Sequence, residues 1–164
     1  MKCGYHRHFA GFNLADYHLH PSFIRLPIFG VSKISKLADI SPRRECLIAL
    51  RHHQSDEAPA LWAQLANAHD GKDRWYLEAL GLAADKQENK FFDNWVAGAK
   101  LNTAVARDII WRNRGTHGAK YLADIILDRN TVGAEKTRYL RARDFITKGK
   151  EKDEALARIA LGAF

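Results

Sequence analysis

No proline follows Pro59 in this chain of 164 residues, and only four occur in all. The long stretch beyond it therefore lacks the residue that most reliably breaks a helix. Cysteine is scarcer still. Cys3 and Cys46 are the only two, and they make neither a disulfide framework nor a Cys-x-x-Cys metal or haem motif. No apolar run approaches the roughly 20 residues needed to cross a bilayer as a helix, so no membrane span is expected. The N-terminal region holds His6, Arg7, His8, Asp16, His18, His20 and Arg25, which leaves no room for a secretory apolar region. Nothing in the chain directs it out of the cytoplasm. Glycine-rich phosphate loops of the two common types are missing as well.

What remains is a chain that is 46% apolar and 27% charged, close to the globular average and unsuited to wholesale disorder. Its net charge of +7 favours acidic partners: nucleic acid, anionic membranes or acidic proteins. The same charge also serves solubility alone.

The strongest signal is a repeat. An apolar pair followed four positions later by a second apolar pair occurs four times. The copies are Leu61-Trp62 with Leu65-Ala66, Phe91-Phe92 with Trp95-Val96, Tyr121-Leu122 with Ile125-Ile126, and Ala155-Leu156 with Ile159-Ala160. Spacing of i, i+1, i+4, i+5 is one stripe of a 3.6-residue helix, so each copy predicts a helix with a single buried face. Recurrence at about thirty residues marks a stacked helical-repeat array.

The punctuation agrees. Ser41-Pro42 reads as an N-cap with proline at the first helical position. Ser55 is placed to cap a helix over 56–69, and Asp70, in the turn Asp70-Gly71-Lys72-Asp73, to cap the next. Further helices are expected over 87–99, 103–114, 117–129, 133–147 and 151–163, with short connections that force neighbours antiparallel. The alternate helices form a second series. Arg44 to Leu50 aligns with Arg74 to Leu80, and Arg107-Asp108-Ile109-Ile110 and Arg138 to Ala142 continue it less cleanly. One helical hairpin cannot cover its own apolar faces, so neighbours must stack.

Residues 1–40 do not share the period. They are expected to form an irregular N-terminal segment, with one short helix through Val31, Ile34 and Leu37-Ala38, ahead of a repeat domain over 41–164.

The segment from Asp70 to Gly81 resembles a HEAT repeat in its turn and second helix: the Asp of the turn, the Arg opening the helix, and the closing Ala79-Leu80-Gly81. More specifically, Glu45 to His52, Asp70 to Lys86 and Arg107 to Arg112 resemble the HEAT-repeat region of planctomycete-type membrane-bound dehydrogenase or haem-binding proteins. In those, the repeats lie between a sugar-dehydrogenase-like β-propeller and a c-type haem domain. The resemblance covers roughly 41–150 and implies a right-handed α-α superhelix of about four helical hairpins. It carries no redox chemistry to this chain, which has no Cys-x-x-Cys-His and no propeller strands. The expectation is the repeat segment alone, either a stand-alone adaptor or a piece of a larger protein, with no cofactor.

Several side-chain groups invite a functional reading, each with a plainer alternative. His6-x-His8 and His18-x-His20, near Cys3 and Asp16, offer zinc or copper ligand types, but their spacing matches no common structural zinc site. A His-rich tail is the alternative. His52, His53 and His69 fall at expected helix C-termini, where an imidazolium suits the dipole. Trp62 and Trp95 belong to the apolar stripe and are expected in the core. Trp75 and Trp111, beside Arg74 and Arg112, are expected on one face of the array with cation–π contact to an arginine. Arg107, Arg112, Arg114, Arg138, Arg141 and Arg143 could align into a basic strip for phosphate or carboxylate. Against that, Asp108, Asp124, Asp128 and Asp144 could neutralise them as interhelical ion pairs.

The expectation is an all-α, non-catalytic scaffold that binds a protein partner or an adjacent domain. Its interaction surface would comprise Arg74, Trp75, Arg107, Trp111, Arg112, Arg138 and Arg141. The alternative is a nucleic-acid-binding protein of the alkylpurine DNA glycosylase type, a HEAT-like enzyme that grips DNA on a basic, Trp-lined face.

Overall fold

Each of the four apolar stripes lies on an α-helix. The structure, a computed structural model, describes Ile28 and residues 40–162. Among the described residues there are eight α-helices and no strands: α1 Ile40–Leu50, α2 Ala58–Asn67, α3 Arg74–Ala83, α4 Glu88–Val96, α5 Ala104–Arg112, α6 Ala119–Leu127, α7 Gly133–Ala142 and α8 Lys150–Gly162. Short 3-10 turns at Thr116–Gly118 and Arg143–Phe145 precede α6 and follow α7. The chain is all-α. The expected short helix over 31–38 and the histidines at 6, 8, 18 and 20 lie outside the described residues. No helix among the described residues is long and apolar enough to cross a membrane.

Helix starts correct the expected caps. α1 already includes Ser41, so Pro42 sits in its first turn, where backbone N–H groups have no intrahelical acceptor to lose. Ser55 caps nothing with its side chain. Only its carbonyl takes part, accepting from Ala58 N at 3.2 Å, and α2 begins with Pro59 in its first turn. At α3 the cap is Asp73 rather than Asp70: the Asp73 carboxylate accepts from Tyr76 N at 3.1 Å. Asp70 shapes the turn before it, accepting from the N–H of Lys72 at 2.8 Å and of Asp73 at 3.3 Å. Gly71, with φ of +77°, supplies the left-handed residue that the turn requires. Thr103 caps α5 through Ala106 N at 3.1 Å. A side-chain cap of this kind stabilises a helix by about 1 kcal/mol.

Helices two apart in sequence pack together, and several sequence neighbours, α6 with α7 among them, pack as well. α1 packs on α3, α3 on α5 and α5 on α7; α2 packs on α4 and α6 on α8. In the second layer Trp62 of α2 meets Phe91 of α4 with ring centroids 6.0 Å apart, and Phe92 of α4 meets Tyr121 of α6 at 5.4 Å, edge to face. The two layers are stitched by side chains reaching backbone carbonyls. Trp62 Nε1 donates to Leu80 O at 3.0 Å, and the Tyr76 hydroxyl donates to Leu65 O at 2.8 Å. These bonds satisfy the polar ends of two aromatics that are otherwise sealed from water.

Burial follows the repeat. Cys46, Leu47 and Leu50 on α1 are buried, as are their counterparts thirty positions on, Tyr76, Leu77 and Leu80. Leu61, Trp62, Leu65 and Ala66 are buried, and so are Phe91, Phe92 and Trp95, with Val96 half-covered. The fourth stripe is thinner. Only Ala155 is buried, Leu156 and Ile159 are half-covered and Ala160 is exposed.

Candidate functional site

Ion pairs tie each unit to the next. Arg51 bonds Asp85 at 2.6 Å, Arg112 bonds Glu78 at 2.7 Å and Arg158 bonds Asp124 at 2.6 Å, every pair separated by 34 positions. Arg138 bonds Asp108, thirty positions back, at 2.7 Å. Arg107 reaches Asp128 at 2.7 Å and Thr131 Oγ1 at 3.1 Å. Among the arginines expected on a basic strip, Arg107, Arg112 and Arg138 are therefore held by carboxylates. Arg143 lies 3.4 Å from its own neighbour Asp144. Arg114 falls beyond the end of α5, so it does not share a helical face with Arg107. It turns inward instead, donating to the carbonyls of Trp111 and Asn113, with its guanidinium 5.1 Å from the Phe145 ring centre.

Of the arginines expected on the interaction surface, two remain outward. Arg74 is 78% exposed and makes only a loose contact, 3.7 Å, with Glu78. Arg141 is exposed and forms no ion pair among the described residues. Trp75 is the most exposed tryptophan, 72% open. Trp111 is half-buried, with the Arg138 guanidinium stacked 4.5 Å from its ring centre. Trp62 and Trp95 are core residues.

A groove of about 290 Å³ runs between the Asp70–Asp73 turn, α3, α5 and α7. Arg74, Trp111 and Arg138 line it together with His69, Lys72, Asp73 and Asp108. Three of the seven expected surface residues thus meet in one place. Trp75, Arg107, Arg112 and Arg141 do not line this groove.

His69 lies at the C-terminal end of a helix as expected, directly after the α2 C-cap Ala68, but it is buried there. It is 6% exposed, its ring stacked on Tyr76 with centroids 5.8 Å apart and planes 5° from parallel. Desolvation lowers its pKa; the carboxylates of Asp108, Asp70 and Asp73 oppose that shift without reversing it. Burial therefore works against the imidazolium expected at a helix end. Neither Nδ1 nor Nε2 has a hydrogen-bond partner among the described residues. An unmet buried polar atom costs about 1–3 kcal/mol, which singles this ring out. The available signal was its phase: His69 extends the stripe Trp62, Leu65, Ala66 by one more step of helical spacing.

A second groove, about 380 Å³, is lined by Asp93, His117, Lys120, Tyr121, Glu151, Glu154, Ala155 and Arg158. His117 Nδ1 lies 2.8 Å from the Asp93 carboxylate, with both side chains substantially open to solvent. No serine, threonine or cysteine lines this groove. Cys46 is no candidate either. It is fully buried, and desolvation, with Glu45 nearby, pushes its thiol up to about 12. Among the described residues no group of three or more His, Cys, Asp or Glu could hold a metal ion.

Comparison with known proteins brings out no match: no family model, curated protein or solved structure aligns significantly with the chain.

Proposed function

We propose that this chain is a HEAT-like helical-repeat module, a right-handed superhelix of about four hairpins that acts as a scaffold rather than a catalyst. Its binding face is the odd-numbered helix layer, α1, α3, α5 and α7, and its partner is a polypeptide, either a separate protein or an adjacent domain. The repeat region of haem-binding dehydrogenase-like proteins is the family that it resembles.

The observation that carries this reading is the alternate packing of helices with ties thirty or 34 positions long. Such an array is built by repetition and displays one extended face per layer. On the odd layer that face carries Trp75 and Arg74, an exposed aromatic beside an exposed cation, the residue types that anchor protein interfaces. A nucleic-acid reading has less support, because Arg107, Arg112 and Arg138 are already neutralised by Asp128, Glu78 and Asp108. Phosphate binding by counterion release needs cations that are free to meet phosphate.

A photoreactive benzoylphenylalanine placed at Trp75 tests the proposal in cells. A polypeptide adduct of discrete mass is expected, lost when the same residue is placed at exposed Asn94 on α4. Adducts to nucleic acid, or none to any polypeptide, would overturn it.

A further inference from the structure

The geometry points to a conformational switch at the α2–α3 turn: His69 stacks inside on Tyr76 while uncharged, and acid swings the protonated ring out into the adjoining groove, towards Asp70. Such a switch works whatever the module binds, and it acts on the turn that leads into Arg74 and Trp75.

The closed position suits only the uncharged ring. His69 is more than nine-tenths buried and stacked on Tyr76, and both its nitrogens are sealed from solvent without a hydrogen-bond partner among the described residues. An imidazolium has two N–H donors, and neither could be solvated there, so charge and the stacked position oppose each other. Desolvation accordingly outweighs the pull of Asp108, Asp70 and Asp73 and lowers the pKa. Leaving the site breaks no hydrogen bond of the ring, because the stacked ring makes none.

An outward position lies beside it. His69 stands in the wall of the groove of about 290 Å³, so rotation about its side-chain bonds can carry the ring into open space. The charged groups around that space are Asp70, Lys72 and Asp73 of the turn, Arg74 of α3, Asp108 of α5 and Arg138 of α7. Asp108 is occupied by Arg138, and Asp73 caps α3. Asp70 is exposed, accepts from the backbone N–H groups of Lys72 and Asp73, and forms no ion pair among the described residues. It is therefore the carboxylate open to an imidazolium, while Lys72 and Arg74 oppose one. The last carbonyls of α2, whose C-cap is Ala68, add the negative end of a helix dipole. As the pH falls, the ring exchanges a packed position for a solvated, charge-matched one.

Nuclear magnetic resonance of the full chain between pH 7.5 and 5 tests this. The ring nitrogen shifts of His69 report its charge, and Overhauser contacts to Tyr76 report its position. The ring is expected to become charged below the ordinary value of about 6.5 and to lose its Tyr76 contact at the same midpoint. The contact between Trp62 and Phe91 should persist throughout, which marks the change as local. In His69→Phe, the contact between the substituted ring and Tyr76 is expected to remain at pH 5. A ring charged but still stacked, a ring uncharged down to pH 5, or loss of the Trp62 contact together with that of His69 would each overturn the proposal. So would loss of the Tyr76 contact in His69→Phe over the same range, because a ring that cannot titrate would then be opening as well. The parent titration decides the matter alone if that variant does not fold.

Discussion

Arg112 on α5 and Glu78 on α3 meet at 2.7 Å directly over Gly81, which leaves them room by having no side chain. A Cβ built at Gly81 would collide with the Arg112 guanidinium. The glycine thus serves the contact between units rather than the backbone of its own helix.

From this follows a prediction with two opposed terms. Replacing glycine by alanine inside a helix usually gains up to about 1 kcal/mol. Here Gly81→Ala would drive Arg112 off Glu78, losing a charged hydrogen bond between mostly covered groups, a loss of about 1.5–3 kcal/mol. Gly81→Ala should therefore lower stability by about 1 kcal/mol in urea denaturation. In an Arg112→Ala background the same change should become neutral or stabilising.

Tyr76→Phe tests the stitch between layers. The Tyr76 hydroxyl donates to Leu65 O at 2.8 Å from a fully buried position. That carbonyl also accepts from Ala68 N at 3.1 Å, so it is not orphaned when the hydroxyl goes. The expected loss is at the modest end for a buried hydrogen bond, about 1 kcal/mol by chemical denaturation.

Much of this arrangement was legible in the sequence, and the limits have physical causes. The stripes at Leu61, Phe91 and Tyr121 fixed helix type and spacing, because burial of one face imposes a period on the chain. Pairings such as Arg112 with Glu78 were not legible in detail, since they depend on how far one helix slides past another. Gly81 stood out in the sequence only as part of Ala79-Leu80-Gly81, and the reason for a glycine there required Arg112 to be in view. The burial of His69 was missed because its position near a helix end suggested a dipole contact. Its stripe phase, which pointed to burial, was the better guide. Caps at Ser55 and Asp70 were misplaced by a few residues because several short polar side chains compete at each turn.

Lys86 carries a φ of +65° between α3 and α4, a left-handed conformation that costs a side-chain-bearing residue about 1 kcal/mol or more. Lys86→Gly should raise stability by about 0.5–1 kcal/mol, after the greater entropy of glycine in the unfolded chain is allowed for. A higher melting temperature in calorimetry checks this.

The buried His69 ring makes stability depend on pH. Its folded pKa lies below the ordinary value of about 6.5, chiefly through desolvation, with Asp108, Asp70 and Asp73 opposing and the cations Lys72, Arg74 and Arg138 also around the groove. The unfolded chain then binds the proton first as pH falls. Its stabilising contribution is complete above pH 6.5 and declines below it, through the folded value. Denaturation midpoints between pH 7.5 and 5 should fall in the parent protein. In His69→Phe, which keeps an aromatic ring against Tyr76 and cannot titrate, that decline should flatten.

The central claim is that helices two apart in sequence are neighbours in space, and proton–proton Overhauser contacts between aromatic rings read it most directly. Cross-peaks are predicted between Trp62 and Phe91, whose centroids lie 6.0 Å apart, and between Phe92 and Tyr121, at 5.4 Å. If both pairs give no cross-peak in the assigned, folded protein, the alternate stacking is contradicted.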